Sequence, residues 1–268
     1  MQYDPIKKTL GKVFNQKPWL RKLFYQLLDL LLLRTWHVKK AIRLWAKGKP
    51  EFVNVLDAGS GFGQYSYFLS KLNSKWNITG LDVKEEQIED CNKFFKRIKQ
   101  ANASFRVEDL TIYRSENTYD LIISVDVMEH ILEDVKVFKN FHASLKQGGM
   151  VLVSTPSDQG GSDVHEDDHE SFIDEHVRDG YNITEIEDKL KSAGFSRTET
   201  RYNYGIPGKI SWRLSMKFPI VLLNVSRLFF IILPLYYLVT FPFCLLLNYL
   251  DLSLNHKSGT GLIVKAWK

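Results

Sequence analysis

The chain has 268 residues, 44% hydrophobic and 25% charged, the balance of an ordinary globular protein. That balance excludes a disordered tail, a collagen-like repeat and a multi-span membrane protein; two isolated cysteines, Cys91 and Cys244, exclude a disulfide framework and point to a reducing compartment. The net charge of +5 is segregated, with +10 in residues 1–50, −12 in residues 51–200 and +7 in residues 201–268, so an anionic surface is the expected partner.

The opening MQYDPIKKTLGKVF lacks the apolar core and cleavage pattern of a secretory signal. From Pro18 the pattern becomes helical, with Leu20, Leu23, Phe24, Leu27, Leu28 and Leu31 at three- and four-residue steps and Arg21, Lys22, Gln26 and Asp29 on other faces. A second helix puts Val38, Ala41, Ile42 and Trp45 on one side and Lys39, Lys40, Arg43 and Lys47 on the other. Residues 1–50 thus read as a basic amphipathic helical segment. It packs on the main domain, lies on anionic lipid with Trp19, Trp36 and Trp45 at the interface, or does both with different faces.

From Glu51 strands and helices alternate. Strands are expected at Phe52–Leu56, Ile78–Leu81, Ser104–Val107, Tyr119–Val125 and Met150–Ser154. Helices are expected at Gln64–Leu72, Lys84–Ile98 and Leu132–Leu145, the last stopped by Gly148-Gly149. This is the rhythm of a mostly parallel sheet with helices on both faces. The acidic run His165–Glu170 reads as a solvated lid. Thr184–Ser192 is a helix capped by Asn182 and stopped at Gly194, and Phe195–Tyr204 a strand. Leu228–Leu247 then runs 20 residues without a charge, long enough to cross a membrane, though Pro234 and Pro242 are expected to break it into pieces. Gly261–Trp267 is strand-like.

The most specific signal is Val53-Asn-Val-Leu-Asp57-Ala-Gly59-Ser-Gly61-Phe-Gly63. A strand ends near Asp57, and a glycine turn then opens a helix and lets the backbone approach a ligand. The spacing GxGxG differs from the GxGxxG of dinucleotide binders. Asp82 ends the second strand, where a carboxylate can accept from two ribose hydroxyls. Asp109 follows the third strand.

These residues resemble the class I S-adenosylmethionine-dependent methyltransferases, over roughly residues 51–205 and the final strand. The resemblance implies a Rossmann-like, doubly wound seven-stranded α/β sheet with S-adenosyl-L-methionine as cofactor. It implies that Asp57, Gly59, Gly61 and Gly63 form the methionine-side turn, that Asp82 and Val83 lie at the ribose, that Asp109 and Leu110 lie by the adenine, and that Asp126 lines the cofactor site. Asp126-Val-Met-Glu129-His130 resembles the family's loop after strand four, with His130 the candidate catalytic base; His176 is weaker, and no metal is assigned. Lys191-Ser-Ala-Gly194-Phe195 and Glu175-His176-Val-Arg178 resemble segments around the helix before strand six. The Asp126-x-x-Glu129-His130 pattern is also similar to ubiquinone-pathway O-methyltransferases.

The expected organisation is a basic helical segment (1–50), a methyltransferase core (51–205), a membrane-associating insertion (206–258) and a final core strand (259–268). The resemblance implies that strand six and the final strand share one sheet, so the insertion is expected to enter and leave a membrane by the same face, as a shallow helical hairpin or two interfacial helices, with Lys209, Arg213, Lys217 and Lys257 at the headgroups. The expected function is methyl transfer to an O or N atom of a lipid or lipid-linked acceptor at the cytoplasmic face of a membrane. Alternatives are a quinone or isoprenoid-phenol O-methyltransferase, or a non-catalytic cofactor-binding membrane anchor. The uncharged run fits a nucleic-acid partner poorly.

Overall fold

Short apolar runs alternating with amphipathic stretches build a layered α/β structure. The computed structural model describes residues 17–160 and 177–268. The strands are β1 (Asn54–Ala58), β2 (Asn77–Asp82), β3 (Ala103–Val107), β4 (Tyr119–Val125), β5 (Leu145–Pro156), β6 (Arg197–Asn203) and β7 (Gly261–Trp267). They form one sheet in the order β3-β2-β1-β4-β5-β7-β6. Strands β1 to β5 pair in parallel, and β7 runs antiparallel to both β5 and β6. The C-terminal ends of β1 to β6 and the start of β7 therefore share one edge of the sheet.

Helices α1 (Pro18–Leu31), α2 (Leu33–Ala46), α3 (Gln64–Leu72), α4 (Glu85–Arg97), α5 (Asp134–Ser144) and α6 (Ile183–Ser192) cover the sheet. Alternate residues of each central strand face opposite layers. Ile122, Val151 and Val153 meet Phe138 of α5 and Leu190 of α6. Leu121, Ile123 and Leu152 meet Val38 and Ile42 of α2 and Leu69 of α3. Both faces are covered, which is why these strands read as unbroken apolar runs. Burying Val38 and Ile42 is worth about 1.5–3 kcal/mol each, so this face of α2 is part of the core. Trp45, expected at an interface, packs edge-on to Trp76 beneath the sheet, ring centroids 5.7 Å apart.

Asn182 caps α6 as expected, its side chain accepting from the Thr184 N–H at 2.9 Å. Gly148-Gly149 behaves differently. The chain passes directly from α5 into β5, because buried Leu145 already pairs with Tyr119; the glycines lie inside β5, where the β4–β5 register shifts. The lid residues His165–Glu170, together with Glu175 and His176, lie outside the described residues. Arg178 pairs with Asp134 and donates to the Ile131 carbonyl at 2.7 Å.

After β6, α7 (Ile206–Trp212), a wider π-type turn over Arg213–Lys217, and α8 (Phe218–Val225) form one arm. The chain reverses after Ser226, and the 21-residue α9 (Leu233–Ser253) returns as a second arm. The arms are bonded by the Ser211 hydroxyl to the Cys244 carbonyl (3.2 Å), Tyr237 to the Ser215 carbonyl (2.8 Å) and Tyr236 to the Leu214 carbonyl (2.7 Å). The insertion is thus a helical hairpin whose two roots both lie at the edge where β6 ends and β7 begins. Of the two expected breaks, the one at Pro234 occurs and the one at Pro242 does not: a 3-10 turn over Arg227–Ile231 ends just before α9 begins at Leu233. Pro234 stands in the first turn of α9, where a missing N–H costs nothing. Pro242 removes one ladder bond inside α9, and the contacts to α7 hold the helix through it.

Candidate active site

Three glycines shape the turn after β1, with φ of +79° at Gly59, +51° at Gly61 and +73° at Gly63. The N–H groups of Gly59 and Ser60 both donate to the Leu81 carbonyl at 2.8 Å, which ties the turn to the end of β2. A Cβ on Gly59 would stand 2.2 Å from Val127 Cγ2, so the turn also packs against the loop after β4. Gly59→Ala combines left-handed strain with overpacking and is expected to cost about 3 kcal/mol, read as a lowered midpoint in thermal unfolding. Asp57 lies beneath the turn. It is buried and accepts the Ser66 hydroxyl at 2.6 Å. Burial pushes its carboxyl up to about 6 against the opposing pull of Ser66.

Asp82 is bonded into the same turn. One carboxylate oxygen accepts the Gly61 N–H and the other the Lys84 N–H, each at 2.9 Å. A carboxylate has about four acceptor positions, so room remains for the hydroxyls of a ribose. Val83 beside it is exposed. The Glu108 N–H donates to the Asp82 carbonyl at 3.1 Å, which brings the loop after β3 alongside. There Asp109 accepts the Thr111 N–H at 2.8 Å, whereas the Leu110 side chain is buried in the core, so only its backbone is available to a ligand.

Asp126 directly follows β4 with φ +53°, the left-handed region that few residues with a side chain adopt. It forms an ion pair with Arg34 of α2. The Arg34 N–H donates to the Tyr204 hydroxyl at 3.1 Å, and Tyr65 at the start of α3 contacts Thr35 at 3.4 Å. Glu129, in the short turn Met128–His130, is buried and accepts the Thr155 hydroxyl at 3.1 Å. Burial, and then neighbouring Asp126, raise its carboxyl above the usual carboxylate range. His130 closes that turn, partly buried, with its N–H on the Val127 carbonyl at 3.0 Å. The glycine turn, Asp82, Asp109 and Asp126 are therefore gathered along one sheet edge. Arg34, Tyr65 and Tyr204 were not singled out from the sequence. Arg34 and Asp126 are 92 positions apart, and no local pattern couples them.

Helix α1 also departs from its expected orientation. Arg21 and Tyr25 are the buried residues, and Leu23 and Leu27 face outward. Arg21 donates to the Phe62 carbonyl at 2.8 Å, and the Tyr25 hydroxyl donates to the same carbonyl. Phe62 lies between Gly61 and Gly63, so α1 sits directly on the glycine turn. Within that turn the buried Ser60 hydroxyl has no partner among the described residues.

A glycine turn between a parallel strand and a helix, with an acid at the end of the next strand, is the arrangement of nucleoside-binding α/β folds. The profile of the methyltransferase domain matches residues 51–196, more than half of the chain. Malonyl-[acyl-carrier protein] O-methyltransferase 2 of Ilyobacter polytropus is 28% identical over 157 residues, 58% of this chain and 58% of the relative. The ubiquinone biosynthesis O-methyltransferase of Coxiella burnetii is 32% identical over 110 residues, 41% of this chain and 44% of the relative. The chain spans about half the length of these curated relatives. The structure of Haemonchus contortus phosphoethanolamine N-methyltransferase 2 with S-adenosyl-L-methionine shares the fold, with a TM-score of 0.59 and 18% identity over 91% of this chain and 60% of that one. The chain belongs to the class I S-adenosylmethionine-dependent methyltransferases. Residues 51–196 form an S-adenosylmethionine-dependent methyltransferase domain.

Proposed function

We propose that the enzyme works at the cytoplasmic face of a membrane and methylates an O or N atom of a lipid or lipid-linked acceptor. The observation that carries this reading is the apolar hairpin rooted at the same sheet edge as the glycine turn. Leu235, Leu238, Phe243, Leu246 and Tyr249 of α9 are exposed, as are Val225 and Ile231 at the tip. A soluble enzyme rarely exposes so continuous an apolar face without a partner. Lys209, Arg213 and Lys217 recur every four residues on the first arm and suit the headgroup level. Beyond Lys217 the nine residues to Ser226 rise about 14 Å, roughly half of a ~30 Å bilayer core, so the tip suits one leaflet rather than a span. A cavity of about 450 Å³ at the hairpin root sets Lys40, Arg201, Lys257 and Lys265 against the single carboxylate of Glu199, which complements an anionic headgroup.

In this reading the cofactor's methionine end lies on the 59–63 turn, its ribose on Asp82 and its adenine beside Asp109 and the Leu110 backbone. The sulfonium supplies an activated methyl group for in-line displacement by the acceptor. What the chain contributes is position and exclusion of water. The cluster of Arg34, Tyr65 and Tyr204 borders the acceptor's approach, and His130 is the candidate base where the nucleophile must lose a proton. Among lipid acceptors, the similarity to ubiquinone biosynthesis O-methyltransferases favours an isoprenoid phenol as the second reading.

The test is transfer of label from methyl-labelled cofactor into a total lipid extract presented in vesicles. Label is expected in the organic phase, in a species that mass spectrometry assigns as lipid or phenol. Turnover confined to water-soluble acceptors, with no organic-phase product, would remove the lipid reading.

A further inference from the structure

The two faces of α1 do different things. Its inner face holds the cofactor turn through Arg21 and Tyr25, with Phe24 packed edge-on to Phe62 at 6.0 Å. Its outer face carries Trp19, Leu23, Leu27 and Leu30 at steps of four, four and three residues, exposed by 59%, 40%, 38% and 40%. Such spacing makes one continuous stripe. Asp29, the only carboxylate of the helix, is turned inward, paired with Lys39 and accepting from Gln64 Nε2 at 2.7 Å. Lys17 and Lys22 flank the stripe within the +10 segment. An uncharged stripe with a tryptophan and flanking lysines complements an anionic bilayer surface. The C-terminal end of α1 lies close to the hairpin root. Only Leu32 separates α1 from α2, and Leu33 packs against Gly208 at the hairpin root, where an added Cβ would stand 2.7 Å from Leu33 Cδ2.

We propose that α1 is a membrane-responsive clamp: docking of its outer stripe on an anionic bilayer holds the helix in the seated position of this structure, where Arg21 and Tyr25 already bond the Phe62 carbonyl, and so tightens the cofactor site. This rests on the membrane reading above. The linkage is reciprocal, so bound cofactor raises affinity for the bilayer by the same factor that the bilayer raises affinity for cofactor. An enzyme built this way holds its cofactor most firmly where its acceptor is found.

The test measures S-adenosylhomocysteine affinity of the full chain with and without phosphatidylglycerol/phosphatidylcholine vesicles, and vesicle partition with and without S-adenosylhomocysteine. Both shifts are expected to be about tenfold, within the range usual for coupled sites. Leu23→Glu with Leu27→Glu is expected to keep the solution affinity and lose the vesicle-induced gain. Tyr25→Phe is expected to keep vesicle binding but shrink the gain. Co-sedimentation with unchanged S-adenosylhomocysteine affinity would overturn the clamp while leaving the membrane reading intact. So would a gain that survives in the double glutamate variant. If that variant instead converts a dimer to a monomer with unchanged partition, the stripe is a contact between copies and the proposal falls. No binding to vesicles at all overturns the membrane reading itself, and the clamp with it.

Discussion

Asp82→Ala is expected to weaken S-adenosylhomocysteine binding about a hundredfold or more. Charge-assisted hydrogen bonds contribute roughly 1.5–3 kcal/mol each, and two ribose bonds at the low end already reach that factor. The structure adds a second contribution. The same carboxylate holds the Gly61 and Lys84 N–H groups, so alanine also releases the turn on which the methionine end would rest. Asp82→Asn keeps an oxygen for one of these donors but loses the charge, and an intermediate loss is expected. Calorimetry separates the three proteins. An alanine variant with native affinity would show that the ribose lies elsewhere.

Asp251→Ala is expected to destabilise the fold by about 3 kcal/mol or more, because it strands buried donors. Asp251 is fully buried near the end of α9. It accepts from His37 Nε2 at 2.9 Å, the Tyr204 N–H at 3.2 Å and the Gly208 N–H at 3.1 Å, and it contacts His256 at 3.2 Å. One carboxylate thus joins α2, the end of β6 and both arms of the hairpin. Burial opposes its ionisation, but the His37 bond, the charge of His256 and the Gly208 N–H outweigh it and hold the carboxyl below its usual value. A depressed carboxyl stabilises the fold above its unfolded value of about 3.9 and loses that contribution as pH falls through the folded value. Acid unfolding of the native protein should therefore show a stability difference from Asp251→Ala that is full near neutrality and shrinks at low pH, where the protonated carboxyl keeps only its neutral hydrogen bonds. Urea denaturation at several pH values measures it. A difference that stays constant into strong acid would refute the assignment.

The centre of the sheet was legible because β1, β2, β4 and β5 are buried on both faces and the turn after β1 is marked by glycine, so Val53–Gly63 and Tyr119–Val125 announced themselves. The acids at strand ends were legible for the same reason, since topology alone places them on one edge. What stayed hidden depended on contacts distant in sequence. The periodicity of α1 correctly marked a helix but not which face turned inward, because two polar side chains, Arg21 and Tyr25, find partners in the turn and displace Leu23 and Leu27 from the interior. Pro242 misled in the opposite sense: a local rule for breaking helices was overridden by the neighbouring arm. Arg34 carried no signal, because its meaning lies in Asp126 across the fold.

The place of β7 has a consequence for how the protein is made. It lies between β5 and β6 and pairs with both, yet it is synthesised after the whole hairpin. Until β7 emerges, β6 has no neighbour in the sheet and β5 exposes a bare edge, so the nascent domain stays open while the hairpin, which precedes β7 in the chain, leaves the ribosome first. The most apolar part of the molecule therefore meets its surroundings before the catalytic domain can close. Biogenesis at a membrane, with the hairpin sheltered first and the sheet completed afterwards, would turn this order from an aggregation hazard into an assembly sequence.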